Sequence, residues 1–287
     1  MINKYRLIYN MFIIDNYDQS EHNDVMKIYN MHYMMLSNYS KIMDEMIFII
    51  THNNLSNDIL NKVKARLLIE CQSCKSITFI VEKNMPQYRE GIIFKKYIID
   101  KLNDYDGLTF WGHSKGVTNQ SNINNLYNTL LWIYVMYYNN ITWLYELKNK
   151  LDDKTEYMSY GTLYYKDNRH KLTYNWFYSG SFFWLNTKKL YKYIQDNNID
   201  ISNFISPNDD NLLRCAEIFV GQVIDEKYAA FHFDEHYNKS YEHFLCYGTE
   251  LSYDFIDKQI KLFFKPYEYV NFMNNFQNVL QNLNIQI

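Results

Sequence analysis

The chain has 287 residues, with 29 Lys and Arg against 32 Asp and Glu, a net charge of −3 and a pI near 6.2. No global basic field draws in nucleic acid, and no Lys/Arg run supplies one locally, so a nucleic-acid partner is not expected. Aromatic residues make up 18% of the chain, which excludes disorder, and no Pro/Gly/Ser-rich linker divides it into separate domains.

The first apolar run, Leu7 to Ile14, closes on Asp15-Asn16, and the runs Met46 to Thr51 and Ile77 to Val81 repeat that form. Short continuous apolar runs of this kind suit strands buried on both faces of a parallel sheet. Helical spacing fills the intervals: Asp24 to Met43, then Asn57 to Cys71 with Ser56 or Asn57 as cap, then Tyr88 to Leu102, which leads into a fourth strand at Leu108 to Gly112. The order βαβαβαβ predicts a Rossmann-like α/β fold with a mainly parallel central sheet flanked by helices.

Beyond the fourth strand a polar stretch, 118–125, precedes a strongly apolar helix expected over Leu126 to Lys148. Strands are then expected at Leu163 to Tyr165, Tyr174 to Tyr178 and Phe182 to Leu185. A helix at Lys188 to Gln195, another at Leu212 to Asp225 and a late strand at Ala229 to Phe233 follow. The tail from Phe272 is an Asn/Gln-rich amphipathic helix. This gives one domain over 1–237, with 238–287 as a helical extension packed on it.

Cys71 and Cys74 form a C-x-x-C without a second pair or a nearby His cluster, so reduced thiols of an intracellular protein are expected rather than a zinc or redox site. The N-terminus interleaves Lys4 and Arg6 with apolar residues and lacks the long apolar stretch of a signal peptide. The longest apolar run, Leu130 to Tyr138, falls far short of the roughly 20 residues that a membrane span needs. A soluble cytoplasmic protein is expected, with peripheral membrane contact through aromatic patches left open.

The densest chemistry lies in the turn Gly112-His113-Ser114-Lys115-Gly116 after the fourth strand, at the carboxyl edge where open α/β sheets bind ligands. A lysine and a hydroxyl there suit a diphosphate, and Gly116 permits the tight backbone of an amide nest. The same edge carries Asp15, Asn16 and Tyr17 after the first strand and Glu82 and Asn84 at the third. Tyr17 is placed to stack on a nucleotide base, and Arg89 to reach a phosphate or pair with Glu90. Ser179 and Gly180 form a small-residue floor over which a sugar ring can approach, with Trp176 and Trp184 as candidate stacking faces for an acceptor.

Taken in order, these residues resemble a GT-A-type glycosyltransferase. They are more narrowly similar to polysaccharide-type glycosyltransferases with an H-[ST]-K-G turn, here His113-Ser114-Lys115-Gly116, and a later S-G-x-F-W segment, here Ser179-Gly180-Ser181-Phe182-Phe183-Trp184. The resemblance spans about residues 5 to 235, including Arg89-Glu90 and Ala216-Glu217. It implies transfer of a hexose, with inversion, from a nucleotide-diphosphate sugar (UDP being the commonest carrier) to a glycan, lipid-linked or protein acceptor. Glu217 then takes the position of the catalytic base, and Lys115 and His113 that of the groups at the departing diphosphate.

One departure bears on the cofactor. The family usually places a metal-binding D-x-D after its fourth strand, where this chain has His113-Ser114-Lys115; Asp104-x-Asp106 spells the motif but precedes the strand. Transfer without a metal is therefore expected. The alternative is a divalent cation, Mn²⁺ or Mg²⁺, on His232, Asp234 and His236, whose alternate spacing shares a strand face. A catalytically silent nucleotide-sugar or glycan-binding protein of the same fold is the alternative function, and Asp209 and Asp210 are rivals of Glu217 for the base. A dinucleotide-binding oxidoreductase is disfavoured, since no G-x-G-x-x-G follows the first strand.

Overall fold

The structure is a computed structural model and describes residues 4–15, 17, 24–86, 90–114, 117, 123–142, 144–162, 164–165, 176–178, 181–201, 215–231 and 266–285. Its first half is the expected alternation. Strands β1 (Tyr5–Ile13), β2 (Glu45–His52), β3 (Ser76–Lys83) and β4 (Leu108–His113) are linked by helices α1 (Asp24–Ser40), α2 (Asn57–Glu70) and α3 (Gly91–Tyr97). Ser56 caps α2, its side chain accepting from the Ile59 N–H at 3.4 Å. The helix expected over residues 88–102 is shorter: α3 ends at Tyr97 and a tighter 3-10 turn covers Ile99–Asp104, which still buries Ile99 and Leu102.

The second half comprises α4 (Ile123–Thr142), α5 (Leu144–Leu151), β5 (Ser159–Gly161), β6 (Tyr164–Tyr165), β7 (Phe177–Tyr178), β8 (Phe183–Asn186), α6 (Thr187–Asp196), α7 (Cys215–Val223), β9 (Ala229–Phe231) and the terminal α8 (Pro266–Asn282). The long apolar helix expected over 126–148 corresponds to α4 and α5, and residue 143 between them lies outside the described residues. The short strand β5 had no counterpart among the sequence expectations, because Ser-Tyr-Gly carries no run long enough to signal one.

Among the described residues seven strands form one sheet in the order β3-β2-β1-β4-β8-β5-β9. The pairs β3/β2, β2/β1, β1/β4 and β5/β9 are parallel, and β8 runs antiparallel between β4 and β5. This is an α/β fold with a mainly parallel central sheet flanked by helices and a C-terminal helix. β1 sits inside the sheet with helices over both faces, so it is buried almost end to end. The side chains separate into two cores. One, under α1, α2, α4 and α8, holds Leu7, Tyr9, Phe48, Phe110 and Trp184. The other, under α3, α6 and α7, holds Ile8, Ile49, Trp111, Phe183 and Leu185.

The alternating assignment of neighbours along β1 and β4 to opposite cores is the period-two pleat of a strand covered on both faces. α8 packs on α4 through aromatic contacts, with Tyr134 5.2 Å from both Phe272 and Phe276, ring centroid to centroid. No helix among the described residues is long and apolar enough to cross a membrane.

Candidate functional site

The chain leaves β1 through β2 and β3 on one side and returns to β4 on the other, so the strand order reverses between β1 and β4. Ligands of open α/β sheets bind outside the carboxyl ends of the strands at such a switch point. Here that edge is fixed by a polar clamp. The Ser114 N–H donates to the Asn10 carbonyl at 3.0 Å, the Phe12 N–H donates to Ser114 Oγ at 2.8 Å, and Thr51 Oγ1 donates to Asn10 Oδ1 at 3.1 Å. The ends of β2, β1 and β4 are thereby tied together, and Ser114 is buried. The hydroxyl expected to meet a donor is spent on β1.

A second group of polar side chains lies along the ends of β1, β2 and β3. Asn84 Nδ2 donates to Asn53 Oδ1 at 2.9 Å, Asn53 Nδ2 donates to Asp15 Oδ2 at 3.3 Å, and the Asn84 N–H donates to the His52 carbonyl at 2.7 Å. Asp15 is exposed and Asn84 half-buried, so this ridge presents a carboxylate and amide groups to solvent. Asn53 was missed at the sequence level, although it follows β2 just as Asp15 follows β1 and Asn84 follows β3.

The other expected donor groups fare differently. Tyr17 is not a stacking platform: it is buried, its hydroxyl is 2.8 Å from that of Tyr33, and its ring stands edge-on to Tyr29. Glu82 accepts hydrogen bonds from Lys96 and Tyr97 of α3, and the Lys96 ammonium first, then the Tyr97 hydroxyl, hold its carboxyl below the usual range. Its carboxylate ties β3 to α3.

His113 lies half-buried at the end of β4, its ring 5.5 Å from that of Phe182. Gly112 before it is closely packed: a Cβ there would come to 3.2 Å from both the Phe182 and Tyr9 rings, which would have to shift by a few tenths of an ångström. Asp104 and Asp106 lie at the opposite, amino end of β4, where they form exposed ion pairs with Lys101 at 3.3 Å and Lys188 at 3.2 Å, respectively.

Both tryptophans expected to face an acceptor belong to the core. Trp184 is fully buried and donates Nε1–H to the Asn140 carbonyl at 3.1 Å; Trp176 is buried and donates to the Ile224 carbonyl at 3.2 Å. Trp184 stands on a strand between two helical layers and Trp176 just before β7 against α7, and in each case the buried indole N–H finds a carbonyl. Lys115, Gly116, Arg89, Asn16, Ser179, Gly180, Asp209, Asp210, His232, Asp234 and His236 lie outside the described residues. Glu217 is placed on α7 by its backbone alone. Among the described residues no group of three His, Cys, Asp or Glu is disposed to hold a metal ion.

Fold and edge together define an α/β protein whose polar residues gather where the strand order reverses. Among solved structures, that of an active-site mutant of LgtC is similar, with 12% identity, a TM-score of 0.36 and coverage of 91% of this chain and 85% of that one. No family model and no curated protein matches the chain.

Proposed function

We propose that the chain is a GT-A-type glycosyltransferase that moves a sugar from a nucleotide-diphosphate donor to a glycan, lipid-linked or protein acceptor. The observation that carries this reading is the convergence of the Asp15–Asn53–Asn84 ridge and the His113 turn on the carboxyl edge at the β1/β4 switch point. The ridge supplies amide and carboxylate groups suited to a base and ribose. The sequence places Lys115 two residues beyond His113, where a cation neutralises charge that develops on the departing diphosphate. Glu217 is the proposed base for the acceptor hydroxyl, with Ser179 and Gly180 beneath the sugar.

Should a divalent cation be used, His232, Asp234 and His236 are the residues proposed to hold it, and it would supply the same charge neutralisation. A thermal-shift screen across nucleotide sugars tests the assignment, since a ligand that binds the folded state alone raises its stability by mass action. Stabilisation by one or more donors and release of free nucleotide on incubation are expected; binding without release would make the chain a silent nucleotide-sugar binder.

A further inference from the structure

At the same edge, between β4 and β5, two buried hydroxyls make no hydrogen bond. Thr162 follows the last residue of β5, and Ser181 stands two residues before β8; the pair Gly161↔Phe183 brings these two strand ends together. Both residues are buried, at 2% and 0% exposure, and neither Thr162 Oγ1 nor Ser181 Oγ has a hydrogen-bond partner. Native proteins pair nearly all such groups, so an orphan calls for a specific cause.

Ser181 is unusual a second time. Its φ is 58°, a left-handed backbone conformation that residues other than Gly, Asn and Asp rarely adopt. Strain and an unpaired polar atom on the same residue are a combination held at functional corners rather than in ordinary cores. The neighbourhood leads back to the turn after β4: Phe182 packs on His113 at 5.5 Å and against Tyr137 at 5.1 Å.

We infer that Ser181 and Thr162 form a specificity pair whose hydroxyls meet the sugar ring of the donor. The inference rests on the functional reading above. Each hydroxyl both donates and accepts, which matches the mixed donor and acceptor character of a sugar's own hydroxyls. The oxygens are covered by protein, so an arriving ring displaces part of that cover.

The test uses the full chain, the variants Ser181→Ala, Ser181→Gly and Thr162→Val, and as probes UDP and GDP with their glucose, galactose, N-acetylglucosamine and mannose esters. Melting without ligand should be no lower in Ser181→Ala and Thr162→Val than in the parent, and higher in Ser181→Gly. The nucleoside diphosphate should bind all forms alike. The best nucleotide sugar should bind the Ser181→Ala and Thr162→Val variants about tenfold more weakly, the loss of one well-placed hydrogen bond.

Unchanged donor affinity in those variants overturns the pair while leaving the functional reading standing. A clear drop in melting temperature on removing either hydroxyl overturns it as well, since the hydroxyl then has a structural partner. If the parent protein binds none of the probes, the donor-site reading fails and this inference fails with it.

Discussion

Ser114 Oγ and the backbone of Phe12 hold each other across the β1/β4 junction: the Phe12 N–H donates to the hydroxyl at 2.8 Å, and the hydroxyl is 3.4 Å from the Phe12 carbonyl. Together with the Ser114 N–H on the Asn10 carbonyl, this fixes where β4 ends, and with it the position of His113. Ser114→Ala leaves the Phe12 N–H without its acceptor and should cost about 1–2 kcal/mol, read from urea unfolding. A loss near zero would show that the clamp is dispensable.

The central sheet was legible because its strands are continuous apolar runs bounded by polar turns, a pattern that burial on both faces forces on a parallel sheet. The site was legible only as an edge. Sequence order shows which loops share the carboxyl side, but it does not show which polar groups at that side are already spent. Ser114 looks like a phosphate ligand until its partner on β1 is seen, 102 residues away in sequence. Tyr17 looks like a base platform until Tyr29 and Tyr33 of α1 enclose it. Conversely, Asn53 acquires meaning only when β2 is known to lie between β1 and β3, and Thr162 and Ser181 only when β5 and β8 are known to pair.

The ridge at the ends of β1, β2 and β3 carries its own expectation. Asn53→Ala removes the link between Asp15 and Asn84, but the groups are largely solvated, so unfolding stability should change by less than about 1 kcal/mol. Nucleotide affinity should fall about tenfold if amide and carboxylate groups here read the base or ribose. Calorimetric titration with the nucleotide that stabilises the parent protein measures it; equal affinities would remove the ridge from the site.

Trp176 and Trp184 now predict a stability effect rather than an acceptor effect. Phe in place of either indole keeps most of the apolar volume but deletes the bond to the Ile224 or Asn140 carbonyl and leaves a small void. Each substitution should cost about 1–3 kcal/mol. The KM for the acceptor should stay at the parent value once stability is accounted for, and a raised KM in a well-folded Trp184→Phe protein would restore the stacking role.

The contact between Glu82 and α3 makes stability depend on pH in a defined direction. Lys96 and Tyr97 depress the Glu82 carboxyl relative to an unfolded glutamate, so the folded form binds its proton less readily. The stabilisation is therefore fully present above the unfolded glutamate range near 4.3 and is lost as pH falls through the lower folded value. Because the pair lies at the surface, with Lys96 more than half exposed and Glu82 half-buried, the effect is modest and screened by salt. Glu82→Gln should flatten the acid side of the stability profile between about pH 5 and pH 3; an unaltered profile would assign the acid response to Asp44, depressed by Lys75 in the same way.

Lys115 carries the sharpest chemical expectation, because it stands two residues after the last residue of β4, where the proposed donor diphosphate lies. If its ammonium offsets charge on the departing diphosphate, it acts more strongly in the transition state than in the bound donor. Lys115→Ala should then lower kcat by about 10²–10³ with a smaller change in donor affinity. The melting temperature should stay at the parent value, since Ser114, Phe12 and Asn10 supply the clamp at the strand end. The same reasoning predicts that EDTA spares most turnover. Loss of activity in EDTA, restored by Mn²⁺, together with a mild Lys115→Ala phenotype, would transfer the leaving-group role to a cation.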